Sequence, residues 1–545
     1  VAFQDDTPLT QDQRILHALG RLGFGARPGD LERVKKIGLG AYIAQQLQPE
    51  KIDDSAVERA VRNLPGVNLT PAEVAERERA VLMANVETIR LRQQMEQGSL
   101  PPEKRSEAMQ KARKGAEARQ EAASIGGGLV AEKFLRAVES ERQLQEVLVD
   151  FWSNHFNIDM GKARSTKAID ERLAIRPHVL GKFRDILGAS ARSPAMLIYL
   201  DNFQSVAPPP AGAQAMQRMR RPGAQRMQRG LNENYARELM ELHTLGVDGG
   251  YSQKDVIEVA RCLTGWSIDG NRYGGTFSFR PFAHDRGEKT VLGEKIPAGG
   301  GIEDGERVLD LLAKHPSTMK NISTKLCRRF VSDDPPASLV NKCVETWKKT
   351  DGDLREIVRT IVTSEEFFAP QAYKKKLKNP FEFTVSSVRA MGAHVRPQAL
   401  ATYRMGIGQG AIRNSGNERT LTGQCSLMGQ PLYSYSFPTG YPEDSRKWVS
   451  AGQLIARLNF ALTLVDGGVY DVDFSQGLKI DNVTGVPALV DFLAEKLVGG
   501  QLSPGTRATL LKQADATVKT AEASKLTTAR RVAALVLGSP EFQRR

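Results

Sequence analysis

Apolar positions along this chain recur mostly at helical spacing, and only one stretch alternates in the manner of strands. "TQDQRILHALGRLGFG" repeats apolar residues three and four apart until a glycine pair. "ARPGDLERVKKIG" restarts the pattern after a Pro-Gly turn, so residues 8–50 predict two or three short helices. At 70–73 "TPAE" supplies an N-cap, a Pro at the first helical position and a Glu at N3, a strong helix start. The charged helix it opens runs to "GSLPP", and a second follows to about Ser124. Both are too polar to hide more than a narrow stripe, which predicts an exposed helical hairpin.

After "GGG" at 126–128 another helix is predicted, on which Leu144, Val147, Leu148, Phe151 and His155 share one face, so His155 points inward. "YSQKDVIEVARCLTGW" has a Ser-x-x-Asp helix start, and "TFSFRPFAHDRGEKTVLGEKIP" alternates and turns like a small β-hairpin or meander. "DLREIVRTIVTSEEF" and "ARRVAALVLGSPEF" share an apolar helix end followed by a Ser restart, a recurring device and not a solenoid repeat. The predicted class is all-α with one small β insertion. Its parts are a helical cap (1–69), an inserted charged hairpin (70–124), a motif-bearing core (125–300) and a C-terminal helical part (301–545) packed with the core as one body. The core carries a flexible basic loop (206–230) and the β insertion (272–298).

Composition narrows the class little. At 545 residues the chain buries a real core, and no run of about 18 apolar residues spans a membrane. Its 76 Lys+Arg against 63 Asp+Glu leave a net charge of +13, a bias toward acidic polymers or anionic surfaces. The basic residues are not interleaved with aromatics, which argues against a nucleic-acid binder. Cys262, Cys327, Cys343 and Cys425 form no C-x-x-C pair, so thiolate zinc and thioredoxin-like sites are unsupported. The opening "VAFQDD" fits either a trimmed chain or a mature end left by signal cleavage, the second being preferred.

Candidate chemistry centres on "NENYARELMELHTLG" (232–246). Asn234, Arg237, Glu238 and Glu241 fall within an arc of about 100° on one helix, with Asn232 as N-cap and His243 beyond the apolar arc, so this is no H-E-x-x-H zinc helix. A solvated face with an Arg237–Glu241 pair is the bland alternative. Other clusters are Trp152, Asn154 and His155 in "FWSNHFNID", Asp201 and Asn202 in "YLDNFQS", and His284 with Asp285 in "FAHDRGEK", a pairing suited to orienting an imidazole. Trp266 in "LTGW" is suited either to stacking on a sugar or to filling a core. Oxygen-rich Glu, Asp and Asn groups leave room for a divalent cation such as Ca²⁺.

The blocks "FWSNHFNI", "YLDNFQS", "NENYARELMELHTLGVDGGYSQKDVIEVARCLTGW", "FAHDRGEKTVLG" and "GQPLYSYSFPTGYP" together resemble the bacterial domain-of-unknown-function family 1800 over nearly the whole chain. The resemblance implies no established activity. It implies export, and a sulfatase-like partner encoded alongside, hence work on cell-surface or environmental polymers. Two functions follow as expectations. The first is an exported hydrolase or lyase for an acidic or sulfated polysaccharide. Glu238 and Glu241 would be its acid/base pair, with His155, His284 and Asp285 assisting. Trp152, Asn154, Asp201, Asn202, Asn232, Asn234, Arg237, His243 and Trp266 would bind substrate. The second is a non-catalytic envelope protein in which those residues form a buried polar network. Convergence on an open cleft separates the first from the second.

Overall fold

The computed structural model describes residues 7–97, 101–208, 230–269, 275–401, 417–474, 483–518 and 525–545. Most of the expected basic loop and residues 272–274 of the expected β insertion therefore lie outside the described residues. The chain is mostly helical (65%), and the sheets among the described residues are all two-stranded, which gives the all-α class expected. Among the described residues no helix is long and apolar enough to cross a membrane.

Helix starts follow the local signals. Thr70 caps helix Pro71–Glu96 in a reciprocal capping box with Glu73, and Ser252 caps Gln253–Cys262 with Asp255 in the same way. The helix Arg105–Glu139 departs from expectation, because it runs unbroken through Gly126, Gly127 and Gly128 and the boundary set at 125 falls inside it. Packing explains the glycines. A Cβ on Gly128 would overlap the Pro65 carbonyl, and the neighbouring Ile125 presses on Gly66, which sits at φ +76°. Gly128 lets the helix lie against the 64–66 turn at backbone distance, and that contact outweighs its poor helix propensity.

Three small ribbons replace the single β insertion. Trp266–Ile268 pairs antiparallel with Phe277–Phe279, Lys289–Val291 with Glu294–Ile296, and His394–Val395 with Val472–Asp473. The first strand precedes the expected start at 272, and the third ribbon is too short to show alternation. One continuous apolar core runs from Ile15 to Phe542, so the N-terminal, motif-bearing and C-terminal segments share a single interior. Cys327 and Cys343 face each other with sulfurs 3.7 Å apart, and all four cysteines are buried, free thiols.

Gly128→Ala would stabilise an ordinary helix interior by up to about 1 kcal/mol. Here it is expected to destabilise by roughly 1–3 kcal/mol through overpacking, measured as a lower urea midpoint at unchanged m-value.

Candidate functional site

The helix Gln143–His155 is buried along its inner face, and its last turn delivers the motif residues. Asn154 faces the segment 431–443. Its Nδ2 donates to the Tyr441 carbonyl (2.9 Å) and to Glu443 (3.3 Å), and its Oδ1 accepts from the Tyr441 amide (2.7 Å). Three residues on, the Asn157 Nδ2 donates to the carbonyls of Tyr435 (2.9 Å) and Phe437 (2.8 Å). The Tyr199 hydroxyl donates to the Ser436 carbonyl (2.8 Å), and the Met160 amide to that of Tyr433 (2.8 Å). "FWSNHFN" is thus a clamp on "PLYSYSFPTGYP". Gly440, at φ +67°, is needed where a Cβ would meet the Asn154 carbonyl.

Behind the clamp a small cavity of about 40 Å³ is lined by charged and amide side chains, Lys133, Asp150, Arg329, Gln430 and Glu443 among them. Asp150 accepts from Lys133 (2.8 Å) and Arg329 (3.0 Å). Burial opposes its ionisation, but these two cations hold the carboxyl below its ordinary range. Arg329 also reaches Glu382 (3.1 Å) and Glu443 (3.8 Å). Nearby, Glu171 accepts from Ser153 (2.6 Å) and Tyr433 (2.7 Å), and Lys167 lies 3.5 Å away. Against its burial, the charges of Lys167 and Lys133 lead in keeping it ionised. Tyr433 holds a left-handed φ of +56°, a strained position for a bulky residue that its hydroxyl and carbonyl bonds pin in place. None of Lys133, Asp150, Glu171, Arg329, Tyr433 and Glu443 was singled out in the sequence. For Lys133, Asp150 and Arg329 the only signal there was polarity inside otherwise apolar helices, and Tyr433 and Glu443 lie outside any helix.

His155 is sealed. Its Nε2 lies 3.1 Å from the His243 carbonyl and its Nδ1 lies 3.3 Å from the Lys325 ammonium. The bonds assign the proton to Nε2 and leave Nδ1 as acceptor. Lys325 also donates to the Leu242 carbonyl (3.2 Å). Burial and then the Lys325 charge push His155 far below the usual imidazole range and His243 to about 3, while burial takes Lys325 itself down to about 8. His243 follows the C-cap Leu242 of helix Glu233–Glu241, buried against Phe156 with no bond at Nε2.

The other candidates disperse. Trp152 and Trp266 are wholly buried (0% exposed), so neither offers a face to a sugar. A Cβ on Gly305 would strike the Trp266 ring, which identifies that tryptophan as core. Asn202 donates to the carbonyls of Leu263 (3.2 Å) and Trp266 (3.1 Å), and Asn232 caps its helix while donating to Leu200 (2.7 Å). His284 and Asp285 do not pair as expected. His284 sits between the Thr264 carbonyl and Asp304, whereas Asp285 takes a two-pronged bond from Arg261 because the chain turns between them. Asp201, at φ +60°, pairs with Lys162 (2.6 Å).

On the opening helix the Arg237–Glu241 pair does not form. Arg237 donates instead to Gln253 (2.6 Å), and Glu241 accepts from the Tyr251 hydroxyl (3.0 Å). Asn234 is exposed. Glu238 is half-buried; burial first, and then the Glu241 charge, raise its pKa against the pull of Arg237. Its charge is felt by Tyr199, as is that of Asp159. Among the described residues no three His, Cys, Asp or Glu side chains gather as a metal-ligand set.

Fold and site together define a helical protein whose motif blocks knit a buried polar frame. Residues 17–544 match the family model described as "Protein of unknown function (DUF1800)", and the chain belongs to that family. No curated protein and no solved structure shows significant similarity to it.

Asn154→Ala removes all three clamp bonds and is expected to cost roughly 2–4 kcal/mol, with new protease nicking within 431–443. For the histidines the linkage sign is fixed by their depressed pKa. Each binds a proton more readily unfolded, so its stabilising neutral form is fully present above about pH 6.5, and stability falls as pH drops through that value toward the folded pKa. His243→Phe is expected to flatten the decline of the unfolding free energy between about pH 6.5 and 4, by up to about 1.4 kcal/mol per pH unit relative to wild type, as measured by urea unfolding at each pH.

Proposed function

We propose that the protein is an exported envelope protein that binds an acidic polymer through its surface without cleaving it. Chemistry on that polymer would fall to a partner, such as a sulfatase-like protein. One observation carries this reading: the motif amides Asn154, Asn157, Asn202 and Asn232 all donate to main-chain carbonyls of their own chain, even though Asn154 and Asn157 border the 40 Å³ cavity behind the clamp. Polar groups that close on each other specify a fold, whereas substrate-binding groups must be left partly unsatisfied for the substrate. The histidines offered for proton transfer are bonded into the same frame. A basic balance of charge favours anionic partners without requiring a catalytic centre.

A second reading rests on Glu238. It is half-buried, has a raised pKa and no hydrogen bond among the described residues, and it stands next to Glu241 and within electrostatic reach of Tyr199; these are the attributes of a general acid. The deciding experiment incubates wild type and Glu238→Gln with sulfated, uronic-acid and neutral polysaccharides, following binding and product release. The non-catalytic reading expects salt-sensitive binding to the first two, no products, and melting temperatures for Glu238→Gln and Glu241→Gln at or above wild type. Products from wild type that vanish in an equally stable Glu238→Gln would establish the acid instead.

A further inference from the structure

A second cavity, of about 200 Å³, opens between helix Gln11–Arg21, the segment 373–378 and the C-terminal residues 541–545. Its rim carries both signs of charge, with Glu32 and Glu495 beside Lys496 and Arg544. Its inner wall is mostly basic, with His17, Lys374, Lys378 and Arg545 set against one carboxylate, Glu541. Neither ring nitrogen of His17, 3% exposed, closes a well-formed hydrogen bond, the nearest polar group being the main chain of Phe367. The Lys374 ammonium is buried with no hydrogen-bond partner among the described residues. Lys378 (8% exposed) lies over the Phe542 ring at 3.7 Å and has no hydrogen bond from its ammonium among the described residues.

Two further guanidinium groups stand behind the wall. Arg21 is wholly buried, donates once to the Ala372 carbonyl (2.8 Å), and leaves Nε and one terminal nitrogen unpartnered. Arg457, equally buried, donates once to the Lys378 carbonyl (2.7 Å) and leaves the same pair of nitrogens free. The acids near them do not balance this charge. Glu382 is shared between Arg545 (2.7 Å) and Arg329 (3.1 Å). Glu541 accepts from Ser503 and Thr506 through Oε1 and leaves Oε2 without a partner.

Buried cations are normally paired, because an isolated one costs several kcal/mol or gives up its proton. A wall with this many open N–H donors around one cavity lacks a multivalent acceptor. We propose that this chamber binds a tetrahedral oxyanion, the phosphate or sulfate group of a small ester. Lys374, Lys378, His17 and Arg545 would donate to its oxygens, and Arg21 and Arg457 would supply charge from behind. Guanidinium and ammonium donors suit such a group, whose three or four oxygens each accept more than one bond. Leu16, Leu497 and Phe542 complete the wall, so a short organic portion would lie along an apolar surface. Burial drags Lys374 down to about 8 and Lys378 well below its usual value, and the charge of Lys374 adds to the shift of Lys378. A bound dianion would reverse both.

The test uses the full chain and two probes, inorganic phosphate and sulfate, against chloride at matched ionic strength near neutral pH. Either probe at millimolar concentration is expected to raise the melting temperature by several degrees, and calorimetric titration is expected to give saturable binding of about one ion per chain. Preference for one probe names the ester. Lys374→Met and Lys378→Met are each expected to melt in chloride at or above wild type, having lost an uncompensated buried charge, and to lose at least tenfold in affinity for the probe. Glu541→Gln is expected to bind it at least threefold tighter, an effect that a purely structural carboxylate would not produce. Equal melting in all three salts with no saturable titration of wild type would overturn the assignment, as would undiminished affinity in both lysine variants. Since the titration is made on wild type, variants that do not fold leave the test standing.

Discussion

One guanidinium sets the register of the interior. Arg329, 2% exposed, reaches Asp150 on helix Gln143–His155, Glu382 on helix Pro380–Ala390 and Glu443 beyond the clamped segment; Glu382 in turn holds Arg545 near the end of the chain. An arginine so placed gains little over an apolar replacement, yet any one carboxylate missing would leave charge stranded in low dielectric. These segments therefore pay their desolvation cost together or not at all. The Asn154 clamp depends on this ordering, because Glu443 is both an Arg329 partner and an Asn154 acceptor. The apolar core could accept several slightly shifted packings, and the charged centre selects one among them.

This dependence explains which parts of the fold were legible in the sequence. Helix starts were, since Thr70 with Glu73 and Ser252 with Asp255 satisfy orphan amides within four residues. The inward face of His155 was also legible, being a matter of one helical period. The Gly126–Gly128 run misled because propensity is a local quantity, and the Pro65 carbonyl that demands glycine there lies far off in sequence. The strand Trp266–Ile268 was hidden for a similar reason: three residues buried throughout show no alternation.

The candidate site was legible as a set of positions and not as a constellation. Asn154, His155, Asn202 and Asn232 do occupy special places, but their partners are main-chain carbonyls, which sequence cannot display. Asp150 and Arg329 are 179 residues apart, and Asn154 and Tyr441 are 287 apart. Nothing in the spacing of either pair announces a bond. On helix Glu233–Glu241, Arg237 and Glu241 turn to Gln253 and Tyr251 on the following segment and not to each other.

Two kinds of buried charge coexist here, and the difference between them is chemical. Asp150 and Glu171 are each met by ammonium, guanidinium or hydroxyl donors at bonding distance. Around His17 and Lys378 the donors exceed the acceptors. The formal charge of +13 must be read with that in view. Arg21 and Arg457 are wholly buried and donate to carbonyl oxygens, which bond a cation without neutralising it. Buried acids are at least as numerous as buried bases among the described residues, so the outer surface keeps the basic balance of the sequence. The strongest unmet demand for negative charge then lies inside the molecule, where screening by salt is least.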